Sequence, residues 1–328
     1  MNEFTRKKEF EDSRDYLIRL FENKDMYGLT CNDIADLINT ASGNNFKEST
    51  YRKYYKAFNE GRMYERDTSK NHQYTRILSI SDLHIPFQLP IEKFSDYFGN
   101  IDILQINGDV IDCISISKFT KSFRNSTMDD IIFARKYLID LITSINPKKV
   151  ICNYGNHDIR FENYLANKLG NDLVELMPRT PLELIFNDGF SHYDKNTRSK
   201  TTYEPLSSCI NDVRIEYIDN WYSTIGKTIF CHPLAFRSGP MRTSEAGVQY
   251  FRNEGFDFDC LVMGHTHHIG NYLIGGTMLF EQGTCCDTKK LHYADGKLTN
   301  RQSEGCLYIE QDSSGSLLSY RQIIFNKE

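Results

Sequence analysis

Residues 76–84 read Arg76-Ile77-Leu78-Ser79-Ile80-Ser81-Asp82-Leu83-His84: a short apolar run closed by an aspartate and a histidine two positions apart. The run 76–80 has strand character, and an Asp82-x-His84 pair placed where an extended strand gives way to a loop can aim both side chains at one site. Four more runs repeat the arrangement. Residues 101–106 lead into Gly108-Asp109 with Asp112, and 150–153 into Gly155-Asn156-His157-Asp158. Residues 228–231 lead into His232, and 260–263 into Gly264-His265-Thr266-His267. Helical patterns at 129–145 and 161–169 fall between several of these runs. That points to an α/β arrangement whose strands feed a common rim, where the ligand sites of such sheets collect. From 272 to 325 strand signals dominate, and Asp312-Ser313-Ser314-Gly315 reads as a hairpin turn.

The five clusters supply carboxylate oxygens, imidazole nitrogens and an amide oxygen, and no thiolate. Such donors suit manganese, iron(II) or zinc, and the missing cysteine disfavours a structural zinc site, so an open, catalytic site is expected. Two cations that share one phosphate sit about 3.5 to 4 Å apart and need a carboxylate to bridge them, for which Asp109 is the candidate. The glycines before Asp109, Asn156 and His265 fit a backbone crowded against two metals.

In this order and at these strand ends, the clusters resemble the calcineurin-like metallophosphoesterase superfamily over roughly residues 75 to 285. The resemblance implies a β-sandwich flanked by helices. It implies that Asp82, His84 and His267 hold one metal and Asn156, His232 and His265 the other, with Asp109 joining them. It further implies two divalent ions, manganese first and iron(II) or zinc as the other fits, and in-line attack on phosphorus by a hydroxide that bridges them. His157 matches the family's histidine that binds no metal and either protonates the leaving alkoxide or steadies the developing charge, and Asp112 would orient it and tune its charge. Three positions depart from or qualify the pattern. Cys113 stands where the protein phosphatase branch typically carries arginine, which lowers the case for a phosphoprotein substrate. Asp158 closes the Gly-Asn-His-Asp motif as in the nuclease and phosphodiesterase branches. Pro233 follows His232 where many relatives have glycine. Arg160 is a candidate for a substrate phosphate, with a solvated helix surface as its plain alternative. Arg237 and Arg242 flank a Gly-Pro loop after His232 that could cover the site, with solvated loop arginines as the plainer reading, and His268 either backs a ligand or faces substrate, or is simply exposed or hydrogen-bonded. His72, His192 and His292 lack ligand-like neighbours and are taken as ordinary.

The chain has 328 residues, enough for one large domain and a smaller companion, and 40% hydrophobic with 25% charged residues is ordinary globular composition. A net charge of −5 excludes a protein that coats nucleic acid by bulk electrostatics, so any such contact needs a local patch. Nine cysteines without a repeated Cys-x-x-Cys pattern, the pair Cys285-Cys286 included, read as reduced thiols of a cytoplasmic protein. No signal-like start or membrane-length apolar run is present.

Residues 3–66 carry helical periodicity in three segments. The first places Phe10, Leu17, Leu20 and Phe21 near one face and ends at Tyr27-Gly28. The second is capped by Thr30 with Asp33 at the third helical position, and closes at 42–45. The third, about 48–66, interleaves Arg52, Lys53, Lys56, Arg62 and Arg66 with Tyr51, Tyr54, Tyr55 and Phe58. The polar stretch 67–74 reads as a linker, which gives a helical domain at 1–70 and a phosphoesterase domain at 75–328. Segments 30–39 and 48 onward resemble a helix-turn-helix, whose nucleic-acid contact would rest on Arg52, Lys53 and Lys56.

Three functions are weighed. The first is a two-metal phosphodiesterase acting on nucleic acid that the helical module delivers. The second is a phosphatase or phosphodiesterase for nucleotides or small phosphoesters. The third is a nucleic-acid-binding adaptor with an inactive phosphoesterase fold, against which the complete ligand set argues. The segment 171–221 bears on the choice between the first two, and oligomeric state is not legible.

Overall fold

The computed structural model describes residues 5–8, 10–24, 27–71, 74–117, 126–210, 212–291 and 302–325; for 60–71 and 171 the backbone alone is described. His72 and His292, and the side chains of Arg62 and Arg66, lie outside the described residues. The chain divides into two compact units, 1–73 and 74–328.

In the first unit, helix α1 (Ser13–Glu22) starts at Asp12, whose carboxylate accepts from the Arg14 and Asp15 amides at 2.7 Å. Helix α2 (Cys31–Ser42) carries the Thr30–Asp33 capping box and ends at Gly43 in the left-handed conformation. Both ends satisfy amides or carbonyls that the helix cannot pair internally. Helix α3 spans Glu48–Asn71 and runs through 67–71, residues read from sequence as linker. No glycine or proline interrupts that stretch, so polarity alone was a poor stop signal. Tyr16, Leu20, Phe21, Ile34, Ala35, Ile38 and Tyr51 form the core. Phe10, expected on the apolar face of the first helix, precedes α1 and is 96% exposed; Tyr16 takes the buried place.

The second unit is a sandwich of two sheets. Its strands are β1 (Thr75–Ile80), β2 (Ile103–Asn107), β3 (Lys149–Asn153), β4 (Phe190–Asp194), β5 (Ser199–Tyr203), β6 (Arg214–Ile218) and β7 (Tyr222–Ile225). They continue with β8 (Thr228–Cys231), β9 (Cys260–Met263), β10 (Ile269–Ile274), β11 (Thr277–Gln282), β12 (Gly305–Gln311) and β13 (Leu317–Ile324). One sheet has the order β13-β12-β1-β2-β3-β6 and the other β10-β11-β9-β8-β7, while β4 and β5 form a separate hairpin. β1, β2, β3 and β6 are parallel, as are β8, β9 and β11.

Alternation along the strands builds the layers. Ile77, Ile151 and Ile309 of the first sheet meet Phe230, Val262 and Phe280 of the second. The neighbouring residues Leu78, Ile80, Leu104 and Ile106 face outward and pack on helix α4 (Thr127–Ile145) through Ala134, Leu138 and Leu141. Ile229, Leu261 and Leu279 pack on helix Arg242–Asn253 through Val248 and Phe251. Each such side chain taken from water contributes roughly 1.5 to 3 kcal/mol before chain entropy is counted. The result is two sheets enclosed by helices, and no described helix is long and apolar enough to cross a membrane. The turn at 312–315 joins β12 to β13, with Asp312 Oδ1 accepting from the Ser314 and Ser316 amides.

Candidate metal centre

All five strand-end clusters meet. The loop after β1 is tied to the loop after β2 by Asp82 N to Gly108 O (3.1 Å) and His84 N to Asp109 O (3.0 Å). Gly264 after β9 bonds Cys231 at the end of β8 (3.0 Å). Five of the predicted ligands hold positive φ: Asp82 (53°), His84 (45°), Asp109 (51°), His265 (71°) and His267 (54°). L residues adopt that region at a cost of order 1 kcal/mol each. In both D-x-H and H-x-H the left-handed residues alternate with an ordinary one, which curls the loop so that the two side chains converge. The glycines act by close approach. A Cβ on Gly155 would overlap the Asp109 carboxylate, and one on Gly264 would lie 2.7 Å from His232 Nδ1.

The side chains fall into two groups around one carboxylate. On one side His267 Nε2 lies 3.0 Å from Asp82 Oδ1 and 3.1 Å from His84 Nε2. On the other, Asn156 Oδ1 lies 2.5 Å from His265 Nδ1 and 3.3 Å from His232 Nε2. Asp109 Oδ2 stands between them, 3.8 Å from His84 Nε2 and 3.2 Å from His232 Nε2. Its Oδ1 is fixed by the His157 amide at 2.7 Å. Asp82 is braced by the His265 amide and by the Ser81 hydroxyl.

Whether this pocket suits cations is decided by where the protons are. His84 Nδ1 lies 3.1 Å from Asp112 Oδ1 and His232 Nδ1 2.8 Å from the Asn107 carbonyl. Each ring thus commits one N–H outward, the arrangement that orients metal-binding histidines, and turns a bare Nε2 inward. Lone pairs of nitrogen and carboxylate oxygen crowded at 3.0 to 3.8 Å repel unless positive charge lies among them. Without a cation that charge can only be protons. Burial would lower both histidines, but Asp112 and Asp82 hold His84 up to about 10, and Asp109 and Asp82 hold His232 up to about 9. His265, half-buried and beside His232, is pushed down to about 4 by the burial of its ring and by that neighbour, and offers neutral nitrogen. The donor set, in the clusters Asp82–His84–His267 and Asp109–His232–His265, fits divalent cations.

His157 lies at the rim, its Nε2 3.8 Å from Asp109 Oδ2. Its Nδ1 donates to Asp112 Oδ1 at 2.7 Å, so Asp112 holds both His84 and His157. Burial raises the Asp112 carboxyl, yet the two histidine hydrogen bonds outweigh it and keep it below its ordinary range. Arg160 opens helix Arg160–Ala166 and is turned inward: Nη1 donates to the Asp112 carbonyl (2.9 Å) and Nη2 to His157 Nε2 (2.8 Å). That contact requires a neutral His157, and burial lowers its pKa accordingly. Asp158 accepts from Gly155 N (2.9 Å) and Ile111 N (3.1 Å), knitting the second and third loops together. Asn107, Ser81 and Asp158's knitting role escaped the sequence reading. Backbone carbonyls and strand-end polar residues carry no motif, although a polar residue ending an apolar strand beside a ligand is a usable signal.

His268 Nδ1 is 3.6 Å from buried Glu281. His192 lies on the β4–β5 hairpin. Cys285 and Cys286 are buried, and all nine cysteines are free. In the first unit Arg52 is forked onto Glu48 one turn away, at 2.8 to 2.9 Å, and Lys53 and Lys56 lie on the same helix.

Residues 1–71 match the YonJ N-terminal domain model, and residues 75–268 match the calcineurin-like phosphoesterase model. Among curated proteins, the SPbeta prophage-derived uncharacterized protein YonJ of Bacillus subtilis strain 168 is 38% identical over 65 residues, covering 20% of this chain and only 16% of that protein. Solved structures that the chain matches include vacuolar protein sorting 29 from Cryptosporidium parvum, at 16% identity and TM-score 0.37 over 77% of this chain and 100% of that one. A zinc complex of Vps29 from Entamoeba histolytica (15%, TM-score 0.34, 77% and 100%) and an archaeal phosphodiesterase (16%, TM-score 0.31, 76% and 100%) are others. The phosphoesterase match spans more than half of the 328 residues and every cluster of the centre, and the chain belongs to the calcineurin-like phosphoesterase family.

Proposed function

We propose that this protein is a two-metal hydrolase of phosphodiesters. The observation that carries the reading is Asp109 Oδ2 standing between the Asp82–His84–His267 group and the Asn156–His232–His265 group, 3.8 and 3.2 Å from a nitrogen of each. Those seven residues would hold the cations. Bound there, divalent ions of the manganese, iron(II) or zinc type would polarise the phosphoryl oxygens and ease deprotonation of water at neutral pH.

The protein's own groups supply the rest. Asp112 holds His157 by Nδ1, while Nε2 accepts from Arg160; Nε2 would pass a proton to a departing alkoxide only after the ring takes one up and Arg160 turns to the phosphoryl group. Arg160, fixed on the Asp112 carbonyl, sets a permanent positive charge beside that atom. A phosphoryl group that reaches Nε2 of His157 therefore also meets a guanidinium, which favours the charge developing in the transition state. A protein nucleophile is not needed, and buried Cys113 is not one: burial and the neighbouring carboxylates push its thiol well up. For the first unit we propose nucleic-acid contact through α3, by Arg52, Lys53 and Lys56 on one helix, with part of the Arg52 charge offset by Glu48.

An activity panel with added Mn2+ tests the reading. We expect turnover of bis(p-nitrophenyl) phosphate and of oligonucleotides to exceed that of p-nitrophenyl phosphate. A preference for the monoester would favour a phosphatase, and inertness toward every ester would favour the adaptor.

A further inference from the structure

Past His232 the chain does not return directly to the sheet. Residues 233–241 form a loop that lies against the centre, with the Phe236 ring 6.1 Å from that of His265. The loop is seated on the start of β10, where a Cβ on Gly270 would come within 3.3 Å of Met241 Sδ. Thr243 pins it, its hydroxyl accepting from Arg237 N (3.1 Å) and donating to Arg237 O (3.2 Å). Beyond Phe236 opens a cavity of about 510 Å³ lined by Arg237, Ser238, Arg242, Glu245, Ala246 and Gln249.

Three features fit an anion there. The lining is net positive, two arginines against Glu245, whose carboxylate is 3.9 Å from Arg242 Nη1. The Arg237 guanidinium makes no hydrogen bond or ion pair with a described residue, although arginine forks are normally engaged where they serve structure. Helix Arg242–Asn253 begins here with no side-chain cap, leaving amides and the positive end of its dipole toward the same space. Phe236, 49% exposed, beside the His265 ring and next to Arg237 in the chain, presents a half-open ring of the kind on which bases stack.

We propose that this groove is a second phosphate subsite. It takes the phosphate adjacent to the scissile one in a single-stranded oligonucleotide, with the intervening base on Phe236. The assignment rests on the phosphodiesterase reading for its orientation and names the substrate class of that same centre.

The test separates the two. In chelator, where no hydrolysis occurs, fluorescence anisotropy of full-length protein with labelled oligothymidylate reads binding apart from turnover, and carrying Lys53→Ala/Lys56→Ala in every protein compared removes the contact proposed for α3. The double variant Arg237→Ala/Arg242→Ala is expected to raise Kd by about tenfold or more, the worth of losing charge-assisted hydrogen bonds, and Arg237→Lys to restore part of it. With Mn2+, the ratio of kcat/KM for the oligonucleotide to that for bis(p-nitrophenyl) phosphate should fall by a similar factor. Circular dichroism confirms that the variants fold. An unchanged Kd and an unchanged ratio would overturn the subsite. Arginine-dependent binding by a protein that hydrolyses neither ester would uphold the subsite and overturn the phosphodiesterase reading.

Discussion

The two halves of the centre are built from similar residues but differ in charge and access. Asp82, His84 and His267 are fully or almost fully buried, with a carboxylate of their own and Asp112 behind His84. Asn156, His232 and His265 include no carboxylate of their own and draw on Asp109, 3.2 Å from His232 Nε2, and more distantly on Asp82 at 3.8 Å, and both Asn156 and His265 are partly open. The first half is equipped to retain a cation. The second would bind with neutral donors and has the Phe236 ring beside His265, and on our reading of the function substrate would enter there. Burial and ligand charge, rather than ligand count, distinguish the halves.

The largest effect should come from removing what they share. Asp109→Asn keeps the shape but takes the bridging charge, and we expect kcat on bis(p-nitrophenyl) phosphate to fall by about 10³-fold or more, since cation-assisted charge stabilisation is worth several kcal/mol. A loss below tenfold would mean that the halves act independently. Next in size, His157→Ala should cost about 10² to 10⁴ in kcat, with less loss on p-nitrophenol esters, whose leaving group hardly needs a proton, than on alkyl esters. Equal losses on both would assign His157 to positioning instead. Smaller again, chelator titration should strip Mn2+ in two steps separated by about tenfold in affinity, because ligand charge count tunes binding strength. His265→Ala should abolish the weaker step and His84→Ala the tighter one; a single step in the parent protein would erase the distinction.

The smallest effect is on stability. His84 and His232 are raised above their ordinary 6.5, to about 10 and about 9, by carboxylates that outweigh burial. In chelated protein their protonated rings stabilise the fold fully below about pH 6.5, and that contribution is lost as pH rises through 9 and then 10. The melting temperature of chelated protein should therefore fall between pH 7 and 10.5, whereas Mn2+-loaded protein, with cations in place of protons, should not show that fall. Parallel curves would mean that cations do not replace those protons.

Much of this centre could be read in the amino-acid order because its logic is local. An apolar run that stops at Ile80, Asn107, Asn153, Cys231 or Met263 and is followed by ligand-type residues is a strand end feeding a site, and the boundaries agree within two residues. What escaped reading depends on backbone conformation and on distant partners. Left-handed φ at Asp82, His84, Asp109, His265 and His267 is not encoded by residue type, since aspartate and histidine sit equally well in ordinary loops. The turn of Arg160 toward His157 and Asp112 follows from a helix starting where the third loop meets the second, a tertiary fact. In the first unit the caps at Asp12, Thr30 and Gly43 mark helix ends, and Thr30 and the 42–45 loop were legible for that reason. The continuation of α3 to Asn71 was not, because a polar helix and a polar linker share one composition.

Counting cations tests the central claim most directly. Equilibrium dialysis against Mn2+ followed by elemental analysis and low-temperature electron paramagnetic resonance should find two ions per chain, magnetically coupled through a shared bridge, and uncoupled ions in Asp109→Asn. One ion per chain, or two without coupling in the parent protein, would contradict it.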